Sequence, residues 1–192
     1  MTKQQVQQRV LQNGKPLDLE KFTWNEATKT FSTTENNLVL DFQKIDGVNF
    51  KTGSYCTFDT GSYCTFKTVL YCTFYTGYGC TFKTGSDCTF KTAYDCIFKT
   101  GSDCTFTTSS NCTFKTNSNC MFSTGSNCTF DTSYNCIFKT DSYCIFNVGK
   151  DCVVVRKDIF EIINLNDIPG ETKRIELNKF NVKGFTLVNQ TN

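Results

Sequence analysis

A cysteine recurs at every eighth residue from Cys56 to Cys152, thirteen times without interruption. A phenylalanine follows each cysteine two positions later, from Phe58 to Phe146, and only the last unit carries Val154 there instead. A unit of eight residues has room for one short strand and one turn, so it can bury apolar surface only by stacking on copies of itself. The repeat therefore predicts an all-β parallel solenoid, a rod built from successive coils of one chain.

Within the unit, the cysteine is counted as position zero. Strand alternation places positions zero, two and four inside (Cys, Phe and Thr) and positions one and three outside (usually Thr and Lys). Positions five to seven form the corner, because Gly, Asn and Asp tolerate left-handed backbone conformations. The N-terminus is polar and does not read as a signal peptide, and an odd number of cysteines cannot all pair within one chain. We therefore expect a cytoplasmic protein whose thiols are reduced, buried apolar groups.

A second period in the sequence indicates how many units form one coil. Glycine occupies position five at intervals of 24 residues, whereas another set with the same spacing has none. The glycine set is Gly53, Gly77, Gly101, Gly125 and Gly149, and the other set is Val69, Ala93, Asn117 and Asp141. The spacing predicts a three-sided coil of 24 residues, about five coils, and Cys56 stacked against Cys80. A two-sided flat coil is the alternative that stays open.

Both ends of a solenoid expose unpaired backbone groups and need covering. Residues 1–39 are predicted to form an N-terminal cap with a short helix and a hairpin, and residues 40–159 the solenoid. Residues 160–192 are predicted to form a C-terminal cap of antiparallel strands. The caps serve only as plugs, or one of them docks to a partner.

Three columns at the 24-residue spacing are candidate surfaces. Lysines at position three form either an anion strip or a solvated face that discourages sheet stacking. A mostly apolar column at position one, with Tyr75 beside it, is a contact surface for a protein partner or a second copy, unless a terminal segment covers it. A threonine column is the candidate for ice binding. The lysines are Lys67, Lys91, Lys115 and Lys139, the apolar column is Thr73, Ile97, Met121 and Ile145, and the threonines are Thr57, Thr81, Thr105 and Thr129.

The composition argues against catalysis. The chain has no histidine, which excludes Ser-His-Asp and Cys-His catalysis and most catalytic zinc sites. The cysteines are isolated from one another along the chain and lie beside phenylalanines, an apolar setting that disfavours the thiolate needed for metal binding. We predict no catalytic residue, cofactor, metal or small-molecule substrate. The net charge of +2 makes nucleic acid an unlikely partner, and no apolar run suits a membrane span.

The unit C-T-F-x-T-G-x-x, continuing into residues 152–161, resembles octapeptide-repeat proteins encoded in phage and microbial genomes. The resemblance covers residues 48–188. It implies a β-solenoid and a viral or phage setting, and transfers no functional residues. We therefore expect a non-enzymatic structural or interaction protein, virion-associated as a decoration, fibre or scaffold element. The alternative is a ligand-binding solenoid, with a polyanion on the lysine column or ice on the threonine column.

Overall fold

A computed structural model describes residues 1–171 and 173–188. Short strands dominate, with one α-helix, α1 (Lys3–Gln7), and two 3-10 turns, Leu19–Lys21 and Leu165–Asp167. The strands are β1 (Val10–Gln12), β2 (Lys15–Pro16), β3 (Thr23–Asn25), β4 (Thr30–Ser32), β5 (Leu38–Phe42), β6 (Asn49–Lys51), β7 (Thr57–Thr60), β8 (Thr65–Lys67), β9 (Thr73–Thr76), β10 (Thr81–Lys83), β11 (Thr89–Thr92), β12 (Ile97–Lys99), β13 (Thr105–Thr107), β14 (Thr113–Lys115), β15 (Met121–Ser123), β16 (Thr129–Asp131), β17 (Ile137–Thr140), β18 (Ile145–Val148), β19 (Val153–Arg156), β20 (Glu161–Asn164), β21 (Lys173–Leu177) and β22 (Phe185–Leu187).

The strands form two facing sheets. Sheet A has the order β2-β1-β5-β7-β9-β11-β13-β15-β17-β19-β20, and sheet B the order β22-β21-β18-β16-β14-β12-β10-β8-β6-β4-β3. Successive repeat units alternate between the sheets, so each strand pairs in parallel with the strand two units away. Thr57 pairs with Thr73 and Thr65 with Thr81, a spacing of 16 residues. The β-solenoid is confirmed, but the three-sided coil of 24 residues is wrong: about eight two-sided coils form a rod about 35 Å long.

Phenylalanine packing explains why two walls suffice. Phe98 in sheet B stacks on Phe82 and Phe114 of the same sheet, with ring centroids 4.8 Å apart in both pairs. It also meets the edges of Phe90 and Phe106 of sheet A at 5.2 Å, with the planes inclined at 77°. Rings from both sheets therefore fill the gap of about 10 Å between facing walls. A third wall would separate the two stacks and remove the edge contacts.

The glycine spacing reports corner packing and not coil length. A Cβ at Gly77 would lie 2.3 Å from the Ser62 Oγ of the preceding coil, and one at Gly101 would lie 2.3 Å from the Ser86 Oγ, so glycine relieves a local clash. Neither glycine has a positive φ. The left-handed residue is instead at position seven, where Gly79 is the only glycine among units otherwise carrying Tyr, Asp or Asn.

All thirteen cysteines are buried, which confirms the inward orientation predicted for the thiols. They form two rows of 16-residue spacing, so Cys56 neighbours Cys72 and not Cys80. The thiols also lie close to corner carbonyls: the Cys80 Sγ is 3.6 Å from the Tyr78 oxygen and 3.8 Å from the Gly61 oxygen. Hydrogen bonds from neighbouring thiols, and then burial, raise the pKa of Cys80, which favours its uncharged form.

The N-terminal cap contains the predicted helix and hairpin. The β1 strand pairs antiparallel with β5, while the hairpin of β3 and β4 joins sheet B because β4 pairs in parallel with β6. The Trp24 indole donates a hydrogen bond to the Met1 carbonyl at 2.6 Å. Among the described residues, no helix is long and apolar enough to cross a membrane.

The C-terminal cap is the predicted antiparallel unit, in which β20 pairs with β19 and β21 with β18. The fully buried Arg156 lies within this end of the rod and binds the buried Asp158 carboxylate at 2.6 Å. Its guanidinium also donates to the Val182 and Lys179 carbonyls, at 2.5 and 3.4 Å. Residues 189–192 of the predicted cap lie outside the described part of the chain.

Replacing one inner ring tests the packing. We expect Phe98→Ala to destabilise the protein by about 3–5 kcal/mol, because it removes four ring contacts and leaves a cavity that facing strands cannot close. Guanidinium unfolding followed by circular dichroism measures the change. Lys99→Ala, one residue away and outward-facing, should stay within about 0.5 kcal/mol of the wild type. Equal losses in the two variants would contradict the packing described.

Candidate functional site

The two-sided coil regroups the outward side chains. Lys67 and Lys115 project from sheet B, whereas Lys91 and Lys139 lie on sheet A. The predicted single column of four lysines is therefore wrong, because residues 24 apart fall on opposite faces when the coil is 16 residues long.

Sheet B carries a longer run of lysines than the sequence analysis predicted. Position three is lysine on five consecutive strands, from β6 to β14, and each lysine is the direct cross-strand partner of the next. At about 4.8 Å per strand, the run extends about 19 Å along the rod. All its members are exposed. We call this run the lysine ladder: Lys51, Lys67, Lys83, Lys99 and Lys115.

One end of the lysine ladder is neutralised and the rest is not. Asp131 is the next residue in the column, and its carboxylate lies 3.3 Å from the Lys115 ammonium. The other four lysines have no carboxylate within 4 Å among residues 1–171 and 173–188. Like charges directly opposite each other on adjacent strands destabilise a sheet. Sheet B thus keeps a row of repelling charges that its fold does not compensate.

Hydroxyl groups and a depression border the lysine ladder. The neighbouring outward column contains Thr65, Thr81 and Thr113, interrupted by Ile97. Where the strands reach the corner, a shallow depression of about 300 Å³ includes Lys99 and Lys115 in its lining. Ammonium and hydroxyl donors are therefore available to one ligand along the same line.

Carboxylates confine this line of positive charge. Asp87 and Asp103 occupy the left-handed corner positions that follow Lys83 and Lys99. The Asp103 carboxylate accepts a hydrogen bond from the Asn119 side chain at 3.1 Å. The positive surface is consequently narrow, with negative charge along one corner.

Tyrosines decorate the corners of the N-terminal half of the solenoid. Tyr55 stacks on Tyr71 with centroids 4.9 Å apart, and Tyr78 stacks on Tyr94 at 5.0 Å. Tyr63 meets the edge of Tyr78. The tyrosines thus use ring faces on each other, which reduces the aromatic surface open to a base or a sugar ring.

The predicted apolar column is also divided between the sheets. Thr73, Tyr75 and Met121 lie on sheet A, and Ile97 and Ile145 on sheet B. Its members on each face are two or three strands apart, so they form no continuous surface.

A different apolar surface occurs at the C-terminal end of sheet A. Met121, Ile137 and Val153 are cross-strand partners, with exposures of 52% for Met121 and 45% for Ile137. Ile162 on β20 continues the face and is 72% exposed. The C-terminal strands extend this sheet and do not cover these side chains.

The threonine column separates in the same way. Thr57 and Thr105 lie on sheet A, and Thr81 and Thr129 on sheet B. Sheet A does align Thr57 and Thr105 with Thr73 and Thr89, but its neighbouring outward column contains Asp59, Tyr75 and Lys91. Only Thr105 and Thr107 place two outward threonines on one strand. Ice binding stays a prediction.

A signal for the lysine ladder was present in the sequence. Lysine fills position three at every sixteenth residue from Lys51 to Lys115, while the intervening units carry Asp59, Tyr75, Lys91 and Thr107. This period, more regular than the glycine pattern, would have added Lys51, Lys83 and Lys99 to the strip.

Two searches returned nothing that assigns a chemistry. Within the described ranges, no group of three or more Cys, Asp or Glu side chains is placed to hold a metal ion. Comparison of the chain with protein families, curated proteins and solved structures gave no match.

Repulsion within the lysine ladder predicts an unusual stabilising substitution. We expect Lys83→Gln to raise the thermal midpoint by about 1–2 °C at low salt, because Lys83 lies between Lys67 and Lys99. The gain should vanish near 1 M salt, where charges are screened within about 3 Å. Scanning calorimetry at both salt concentrations measures it. Lys91→Gln, flanked by Tyr75 and Thr107, is the control and should show no gain; a gain independent of salt would contradict the repulsion.

Proposed function

We propose that this protein is a non-enzymatic structural and interaction element, a rigid rod that presents rows of side chains at fixed spacing. The observation that carries the proposal is the register. Outward residues lie beside their equivalents 16 positions away, through successive parallel pairs from β5 to β19 and from β4 to β18. The interlocked phenylalanines hold that spacing, so a multivalent partner meets an already ordered array.

The two ends support the same role. Antiparallel strands follow the parallel coils at both ends of sheet A and at both ends of sheet B. The chain therefore limits its own length, and the two faces are left as its repeating surfaces. The association with a virus particle implied by the octapeptide-repeat resemblance stays a prediction.

Sedimentation in an extract of cells that naturally make the protein tests this role. We expect the wild type to sediment faster than the purified 21.8 kDa chain, because a partner occupies one face. Matched double variants identify that face: Thr65→Glu with Thr81→Glu on sheet B, and Thr73→Glu with Thr89→Glu on sheet A. One pair should return the protein to the sedimentation of the free rod while the other leaves the complex intact. A wild type that sediments as the free rod, or a complex unaffected by either pair, would contradict the proposal.

A further inference from the structure

We infer that the lysine ladder of sheet B is a binding site for a thin, linear polyanion, and that its ligand is inorganic polyphosphate. The inference rests on the proposed function and names a partner for one face of the rod. Four consecutive ammonium groups, from Lys51 to Lys99, have no carboxylate within 4 Å among the described residues. They stand in one straight row because their strands are in register.

The chemistry of the row matches phosphate groups. Lysine binds phosphate as a point charge and does not require the planar, two-pronged geometry that arginine imposes. A polyphosphate chain carries charge on every phosphate along its length, so a row of evenly spaced ammonium groups can neutralise it at several points. The outward hydroxyls of Thr65 and Thr81 lie beside the row and can donate to the remaining phosphate oxygens.

The width of the site favours a ligand with no bases or sugars. Asp87 and Asp103 line the adjoining corner and repel a broad polyanion such as a duplex. Recognition of single-stranded nucleic acid depends on aromatic rings on which bases stack. The corner tyrosines stack on one another instead, and the outward residues beside the ladder are threonine and isoleucine.

The cost of the lysine ladder supports the same assignment. Adjacent lysines destabilise sheet B in the free protein, and a bound polyanion removes that repulsion. A solvated face that only prevented sheet stacking would need fewer lysines than five in succession, because single charges on a strand suffice for that purpose. Binding should therefore stabilise the fold in proportion to the number of lysines engaged.

Titration of the full-length protein with medium-chain inorganic polyphosphate tests the site. Release of counterions from about four lysines predicts that affinity falls about 50-fold between 50 and 200 mM salt. The double variant Lys67→Gln with Lys83→Gln should bind about 20-fold more weakly at 100 mM salt and show about half the salt dependence. The control, Lys91→Gln with Lys139→Gln, makes the same charge change on sheet A and should stay within about twofold, because the rod separates the faces by about a Debye length.

Competing ligands and a folding check separate the outcomes. Circular dichroism should show both double variants folded, and orthophosphate at equal phosphorus concentration should not displace polyphosphate. Equal losses in the two variants, equal competition by orthophosphate, or tighter binding of a thymidine oligonucleotide or of heparin would overturn the assignment. If polyphosphate does not bind but the face-dependent complex persists in the extract, the ligand assignment fails while the proposed function stands.

Discussion

The phenylalanine interlock is the interaction on which the structure depends. Each central ring stacks on equivalents one coil above and below, and touches two rings of the opposite sheet by their edges. This arrangement sets the distance between the walls, the number of walls and the register of every outward column. Cysteine suits the neighbouring position because it is small and apolar, yet its thiol can weakly satisfy a buried corner carbonyl.

The surfaces are consequences of that interlock. Because the inner rings are held in register, the outer residues are too, and Lys51 to Lys115 become direct neighbours without any contact of their own that favours it. Sheet A places mixed residues at the equivalent position, including Asp59, Tyr75 and Thr107. The two faces of one repeat array therefore differ in charge while sharing a single core, which allows one face to bind a partner that the other does not.

The sequence was sufficient for the fold class, because alternation within an eight-residue unit leaves one way to bury Cys and Phe. It was also sufficient for both caps. The number of walls was not predictable from the glycines, since Gly77 and Gly101 respond to a serine of the preceding coil and not to the coil length. That error moved Lys91 and Lys139 into the wrong column and left Lys83 out. The lysine period of 16 contained the correct answer, but an outward position is constrained only by its neighbours, so its pattern carried less apparent weight than a corner glycine.

Cross-linking of outward residues measures the coil length most directly. In a protein with Thr81→Cys and Ile97→Cys, the two new thiols lie on paired strands of sheet B, at a Cα separation of about 4.8 Å that a disulfide can span. In a protein with Thr81→Cys and Thr105→Cys they lie on opposite faces. Mild oxidation followed by peptide mapping should join residues 81 and 97 and leave 81 and 105 unjoined. A bond between 81 and 105, with none between 81 and 97, would establish the three-sided coil and contradict the two-sheet account.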